Sequence, residues 1–276
     1  MKLKKLCVFL AVMAMLLTSC SAFAAPLKLG MLMPGKLVTG DLDKPQDTSD
    51  VVVWTLYRPG HEAENVSFRF YSSLATMLMA LNAGEIDEIA ISQIAGEYIV
   101  AVNPELKITC VGRITGTSFV FGFKAGEGEA LRNKFNAALA DMRKDGTLDS
   151  LKAQYCTNPG KDKLDSVKLE KFDGAETIRV AVTGDVPPLD FVAADGEPAG
   201  FNSAMLAELG RRMKVNIVPV YVETGARTAA LTSGRVDCVF WYQVYRDAKN
   251  QPDAPEELIY SEPYYDFNIS LHIGLK

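Results

Sequence analysis

Short apolar runs alternate with amphipathic stretches along most of the chain, and the alternation predicts strands and helices in turn. Residues 27–33 (LKLGMLM) carry a buried-strand pattern, and residues 34–46, rich in Gly, Asp, Lys and Pro, read as a loop. Residues 47–50 (DTSD) offer caps for a helix through VVVWTLY, although that β-branched run also suits a strand. VSFRFY is a strand, and residues 73–82 a helix with apolar positions at Leu74, Met77, Leu78 and Leu81, stopped by Gly84. A strand at 86–91, a helix at 95–102 and strands at 107–111 and 118–124 follow. Helices at 129–144 and 148–155 are separated by the Asp145-Gly146 break. Residues 157–176 are polar and lysine-rich, which marks a linker. Then the cycle restarts: strand 177–182, a loop from Pro187-Pro188, helix 201–213, strand 216–221, helix 226–232, strand 236–241 and a last strand at 267–275.

One phrase is written twice. Residues 80–87 read ALNAGEID and residues 230–237 read ALTSGRVD, and each runs from a helical pattern into an apolar stretch. Each Gly allows the chain to turn from helix to strand at positive φ. A helix–Gly–strand unit used twice, within strands that alternate with helices, predicts an α/β protein of two lobes, each with its own parallel, doubly wound sheet.

Composition narrows the setting. Lys2, Lys4 and Lys5 precede an apolar run at 6–17 that is too short to span a bilayer, followed by the small residues LTSCSAFAA; residues 1–25 are read as a secretory signal peptide. Leu17-Thr18-Ser19-Cys20 fits a lipobox that would acylate Cys20, and Ala22-Phe23-Ala24 fits ordinary cleavage near Ala25. The protein is therefore expected outside the cytoplasm, in the periplasm or an equivalent space, touching a membrane only through such an anchor. The formal net charge is −5 and no basic patch stands out, which argues against nucleic acid. Beyond Cys7 and Cys20 the cysteines are Cys110, Cys156 and Cys238, without zinc or redox spacing. In an oxidising compartment Cys110–Cys156 is the candidate disulfide, while Cys238 falls in a strand whose pattern predicts burial. His61 and His272 stand far apart with no ligand cluster around either, so neither a metal nor a cofactor is expected.

Two stretches resemble a known family. IRVAVTGDVPPLDFV, DGEPAGFNSAMLAELGRRM, ALTSGRVD and YSEPYYDFNISL, within residues 178–275, resemble the first lobe of the bacterial family-3 periplasmic solute-binding proteins, the polar amino acid receptors of ABC importers. FRFYSSLATMLMALNAGEIDEIAI, GEYIVAVNPELK and LRNKFNAALADMRKDGTLDSLKAQY, within residues 68–156, resemble the family's second half, the last of them its usual ending. The order is reversed, which resembles a circular permutation. The resemblance implies the periplasmic binding protein-like type II fold: lobe B at 27–113, a hinge strand at 114–124, and lobe A at 125–276, including the linker 157–176 and the helices 129–155.

Ligands of such a fold sit between the lobes, at the carboxyl ends of the strands. The resemblance places Asp185, Ser92, Gln93, Trp241, Tyr242 and Arg246 at that cleft, with Thr48 and Ser49 as helix-start hydroxyls. The match is incomplete. Ser92 stands where the family has the Asp that holds an amino group, Val186 and Thr224 stand in place of aromatic platforms, and Arg246 lies three residues early. A buried ammonium without a counter-charge is costly, so a standard zwitterionic amino acid is a poor fit. Trp241, Tyr242 and Tyr245 offer stacking surfaces, and Arg246 a bidentate carboxylate clamp. The reading is a monomeric solute-binding protein for a small polar or carboxylate-bearing ligand, with an ABC transporter permease as partner and no enzymatic activity. The alternatives are a periplasmic sensor or scaffold with a degenerate site, or a cyclohexadienyl dehydratase-like lyase on the same fold.

Overall fold

The computed structural model of the chain describes residues 26–33, 66–157, 164–245, 255 and 257–276, apart from the side chains of residues 113–115 and 245. The leader with Cys20, the helix expected at 47–57 with Thr48 and Ser49, and Arg246 lie outside the described residues.

Two parallel sets of three strands dominate. In the first half, β1 (Leu27–Leu32) lies between β2 (Val66–Tyr71) and β3 (Glu88–Ser92). In the second, β5 (Thr177–Val182) lies between β9 (Asn216–Tyr221) and β10 (Cys238–Tyr245). Two long strands join them: β4 (Leu106–Lys124, 19 residues) and β12 (Tyr265–Leu275, 11 residues), antiparallel to each other. β12 borders β3, β4 borders β10, and the short β11 (Leu258–Tyr260) adds to β4. A separate small sheet comprises β6 (Asp185–Val186), β7 (Asp190–Val192) and β8 (Pro198–Ala199).

The expectation of two separate sheets is corrected here: hydrogen bonding runs through a single nine-stranded sheet, in the order β2-β1-β3-β12-β4-β10-β5-β9. Residues 112–117 (GRITGT), which the sequence pattern leaves between two strands, stay extended, so β4 serves both halves. The two halves are nevertheless distinguished at one point. Ile269 faces Arg113 and Phe267 faces Thr117, so three residues of β4 stand against one of β12, with Gly116 at φ 65°. Such a bulge bends the strand and increases its twist, and the sheet curls there.

Helices cover the two sets. α1 (Leu74–Asn82) buries Leu74, Met77, Ala80 and Leu81, the apolar stripe that the sequence predicts. α2 (Gln93–Val102) lies so close to β12 that a Cβ on Gly96 would come within 3.0 Å of Leu271. α3 (Glu129–Lys144) and α4 (Thr147–Cys156) pack with α5 (Phe201–Met213) against the second half, as the resemblance implies. α6 (Arg227–Thr232) follows a short 3₁₀ turn at Thr224–Ala226. The core of the second half is aromatic: Phe121 of β4 meets Phe240 at 4.6 Å, and Phe135 and Tyr264 at 5.0 Å between ring centroids.

The repeated phrase folds the same way twice. Gly84 has φ 71° and Gly234 φ 74°, each with open space around it, so the backbone alone requires glycine. The Asp that ends each copy then fastens two strands. Asp87 donates its amide to the Lys28 carbonyl and accepts the Lys28 amide at 2.8 Å; Asp237 does the same with Arg179, accepting at 2.7 Å.

The candidate disulfide is also corrected, since Cys110 and Cys156 are free cysteines. Cys110 faces His272 near one end of β12, while Cys156 lines a crevice with Tyr265 at the other end. Seven strand residues separate those positions, roughly 23 Å, and a disulfide needs Cα atoms within about 7 Å. His272 is fully buried and pairs with Glu88, Nδ1 to Oε2 3.1 Å.

Candidate functional site

The halves meet where strands end. β2 runs into Ser72 and Ser73, and the Ser73 hydroxyl caps α1 by accepting the Thr76 amide at 3.2 Å. Across the seam, β5 ends at Val182 and the chain turns through Thr183 and Gly184 into Asp185. The Leu74 amide donates to Asp185 Oδ2 at 2.7 Å, and the Ala75 amide also donates to that carboxylate. Burial pushes the Asp185 carboxyl above its usual range, opposed by those amides and by the Thr183 hydroxyl. Behind it lies Asp190, only 2% exposed, which accepts the Thr183 amide at 2.8 Å. Burial pushes Asp190 up to about 6, against the pull of the Thr183 and Gly184 amides and with a further push from Asp185.

A second contact lies beside the first. The Thr224 amide donates to the Ser72 carbonyl at 3.1 Å, and a Cβ on Gly225 would collide with the Met33 sulfur. Thr224 belongs to the 3₁₀ turn that leads to Arg227, which is 2% exposed. Arg227 Nε donates to the Thr224 carbonyl at 2.9 Å, and a guanidinium NH₂ donates to the Trp241 carbonyl at 2.6 Å. Its guanidinium also lies 4.9 Å from the Tyr242 ring centroid and 5.6 Å from that of Trp241. Trp241 sits where β10 bulges against β4, at φ 36°, a backbone region that a non-glycine residue occupies only under strain. Its ring stands edge-on to Phe119 at 5.3 Å. Two polar atoms around this arginine are buried without a hydrogen-bond partner: Thr224 Oγ1 and Trp241 Nε1.

The structure thus brings Asp185 and Trp241 to one seam, together with Thr224, Arg227, Thr183 and Asp190. It treats the other expected residues differently. Tyr242 is fully buried and shares a hydrogen bond with Thr228 at 2.9 Å. Its ring fills the space at Gly122, so it packs the core of the second half and is not open to a ligand. The bulge in β10 places it there, on the same side as Val239 and away from Phe240. Ser92 ends β3 opposite Ser270, and Gln93 donates to Glu97 of its own helix at 2.7 Å. Arg227 and Asp190 escaped the sequence reading. Arg227 opens an otherwise small and apolar helix, RTAALT, and that contrast is the signal that could have found it. Among the described residues no three His, Cys, Asp or Glu side chains gather as a metal site, and no helix is long and apolar enough to cross a membrane.

Residues 178–273 match the family model described as bacterial extracellular solute-binding proteins, family 3. That segment is about a third of the chain. It contains Asp185, Asp190, Thr224, Arg227 and Trp241, that is, the second half's side of the seam. No curated protein matches the sequence. Among solved structures, the chain is similar to the ligand-binding component of an ABC-type import system from Staphylococcus aureus, solved with zinc bound, at 10% identity and TM-score 0.46 over 90% of this chain and 65% of that one. It is similar also to the alkanesulfonate-binding protein SsuA from Xanthomonas axonopodis pv. citri, at 11% identity and TM-score 0.42 over 93% and 67%. A third is the VFT2 domain of Bordetella pertussis BvgS, at 11% identity and TM-score 0.42 over 92% and 82%. The chain thus spans just under two thirds of the Staphylococcus protein's length.

Proposed function

We propose that the chain is an extracytoplasmic solute-binding protein, circularly permuted within its family, that closes its two halves on a small polar or carboxylate-bearing solute and hands it to an ABC importer. The observation that carries this reading is the pair of orphaned polar atoms, Thr224 Oγ1 and Trp241 Nε1, flanking the buried Arg227 where the halves meet. Each buried unpaired polar group costs about 1–3 kcal/mol. A strained backbone at Trp241 adds to that cost. Such costs concentrate where a ligand relieves them. The permutation is supported by the family-3 match at the chain's far end, by the packing of α3 and α4 on the second half, and by the nearness of the described ends. Lys28 bonds to Asp87, and a Cβ on Gly274 would stand 3.2 Å from the Asp87 carbonyl oxygen.

The test is a thermal-shift and calorimetric screen of amino acids, carboxylates and short peptides, followed by Trp241→Phe and Thr224→Val on any hit. Phe keeps an aromatic ring, smaller than the indole, without the N–H, and Val keeps the shape without the hydroxyl. Each variant should weaken a hit about tenfold, and Thr224→Val should leave the solute-free chain at least as stable, since it removes an unpaired group at nearly constant volume. Unchanged affinity in both would remove this seam from the binding site.

A further inference from the structure

The bond across the seam satisfies helix amides that lack a local acceptor. α1 has nine residues and no acidic residue in its first turn, and its Ser73 hydroxyl is committed to Thr76. The Leu74 and Ala75 amides therefore depend on a carboxylate from elsewhere, and the one they receive is 111 positions further along the chain, in the other half. Asp185 in turn is aimed by its surroundings. The Thr183 hydroxyl holds it, and the buried Asp190 pins the turn before it by accepting from Thr183 and Gly184. A helix amino end favours a negative charge, and a charge-assisted bond there is worth roughly twice a neutral one.

We propose that Asp185 is a built-in latch: its carboxylate grips the first turn of α1 and holds the two halves together in the solute-free chain. Thr224–Ser72 and Gly225–Met33 are the contacts that this grip keeps closed. The inference rests on the solute-binding reading in one respect only. A solute reaches Thr224 and Trp241 when the latch lets go, and Asp185 thereby sets how often the site is open. The latch itself is defined without any solute.

Hydrogen exchange followed by mass spectrometry, on the solute-free chain, tests it with Asp185→Ala and Asp185→Asn. In Asp185→Ala the amides of residues 72–76 should exchange about tenfold to a hundredfold faster. Residues 222–226, which Asp185 does not touch, should accelerate with them, while β5 keeps its wild-type protection. Asp185→Asn retains an acceptor and should fall between, moving both segments in the same direction; it carries the test alone if the Ala variant does not fold. Unchanged exchange at 72–76 overturns the proposal. So does acceleration there with residues 222–226 left at the wild-type rate, which would make Asp185 a helix cap and nothing more. Coupled acceleration in a chain that binds no solute keeps the latch and removes the solute-binding reading.

Discussion

Asp190 is a carboxyl held where water scarcely reaches, and its titration is a property of the fold. Its native value, about 6, lies above the ordinary value near 3.8. The native state therefore binds more protons than the unfolded chain between about pH 4 and 6, and stability falls as pH rises through that window. The loss contributed by this group is at most about 3 kcal/mol. Thermal unfolding of wild type and Asp190→Asn at pH 4, 5, 6 and 7 checks this: the difference between the two curves should change across that window and level off above it. Asp185 was legible because a lone acid at a strand end, before Pro187-Pro188, is an exposed kind of residue in an exposed kind of place. Its true partner was not, because nothing in a sequence tells which helix turn lies across a seam. Tyr242 was misjudged for a related reason, since aromatic residues suit a ligand surface and a core equally, and only the strand's facing decides.

Among the elements, those with strong periodicity were read to the residue: strands Thr177–Val182 and Asn216–Tyr221 and helix Phe201–Met213. The repeat of helix, Gly and strand was equally readable, because a glycine stop and a terminal Asp are local chemistry. Gly84→Ala and Gly234→Ala should each cost about 1–2 kcal/mol, the penalty of a side chain at positive φ, read as a lower urea midpoint with an unchanged slope. The bridging Asp87 and Asp237 carboxylates should make Asp87→Ala and Asp237→Ala destabilising as well, with the strands Leu27–Leu32 and Thr177–Val182 the first to lose exchange protection. The periodicity left residues 112–117 between two strands because Gly, Arg and Thr carry no alternation of their own, although the resemblance placed 114–124 in a hinge strand. Pairing with β12 at Gly112, Arg113 and Thr117, and with β10 from Thr117 onward, carries the strand through them.

For the molecule as a whole, the shared strands β4 and β12 make the two halves one hydrogen-bonded object. Gel filtration with light scattering should give one chain per particle; a dimer would point to exchange of β12 between copies. Reductant should leave the unfolding temperature unchanged, because Cys110 and Cys156 are not bonded. The Cys156 thiol, pushed up to about 12 by burial, should label slowly with a thiol reagent at neutral pH.

Both β1, where the described chain enters, and the far end of β12, where it leaves, are threads of the same half. A tether upstream of Leu27, lipid or otherwise, would therefore hold only one jaw. The other, carrying Asp185 and Trp241, hangs from two strands and would be the one that swings.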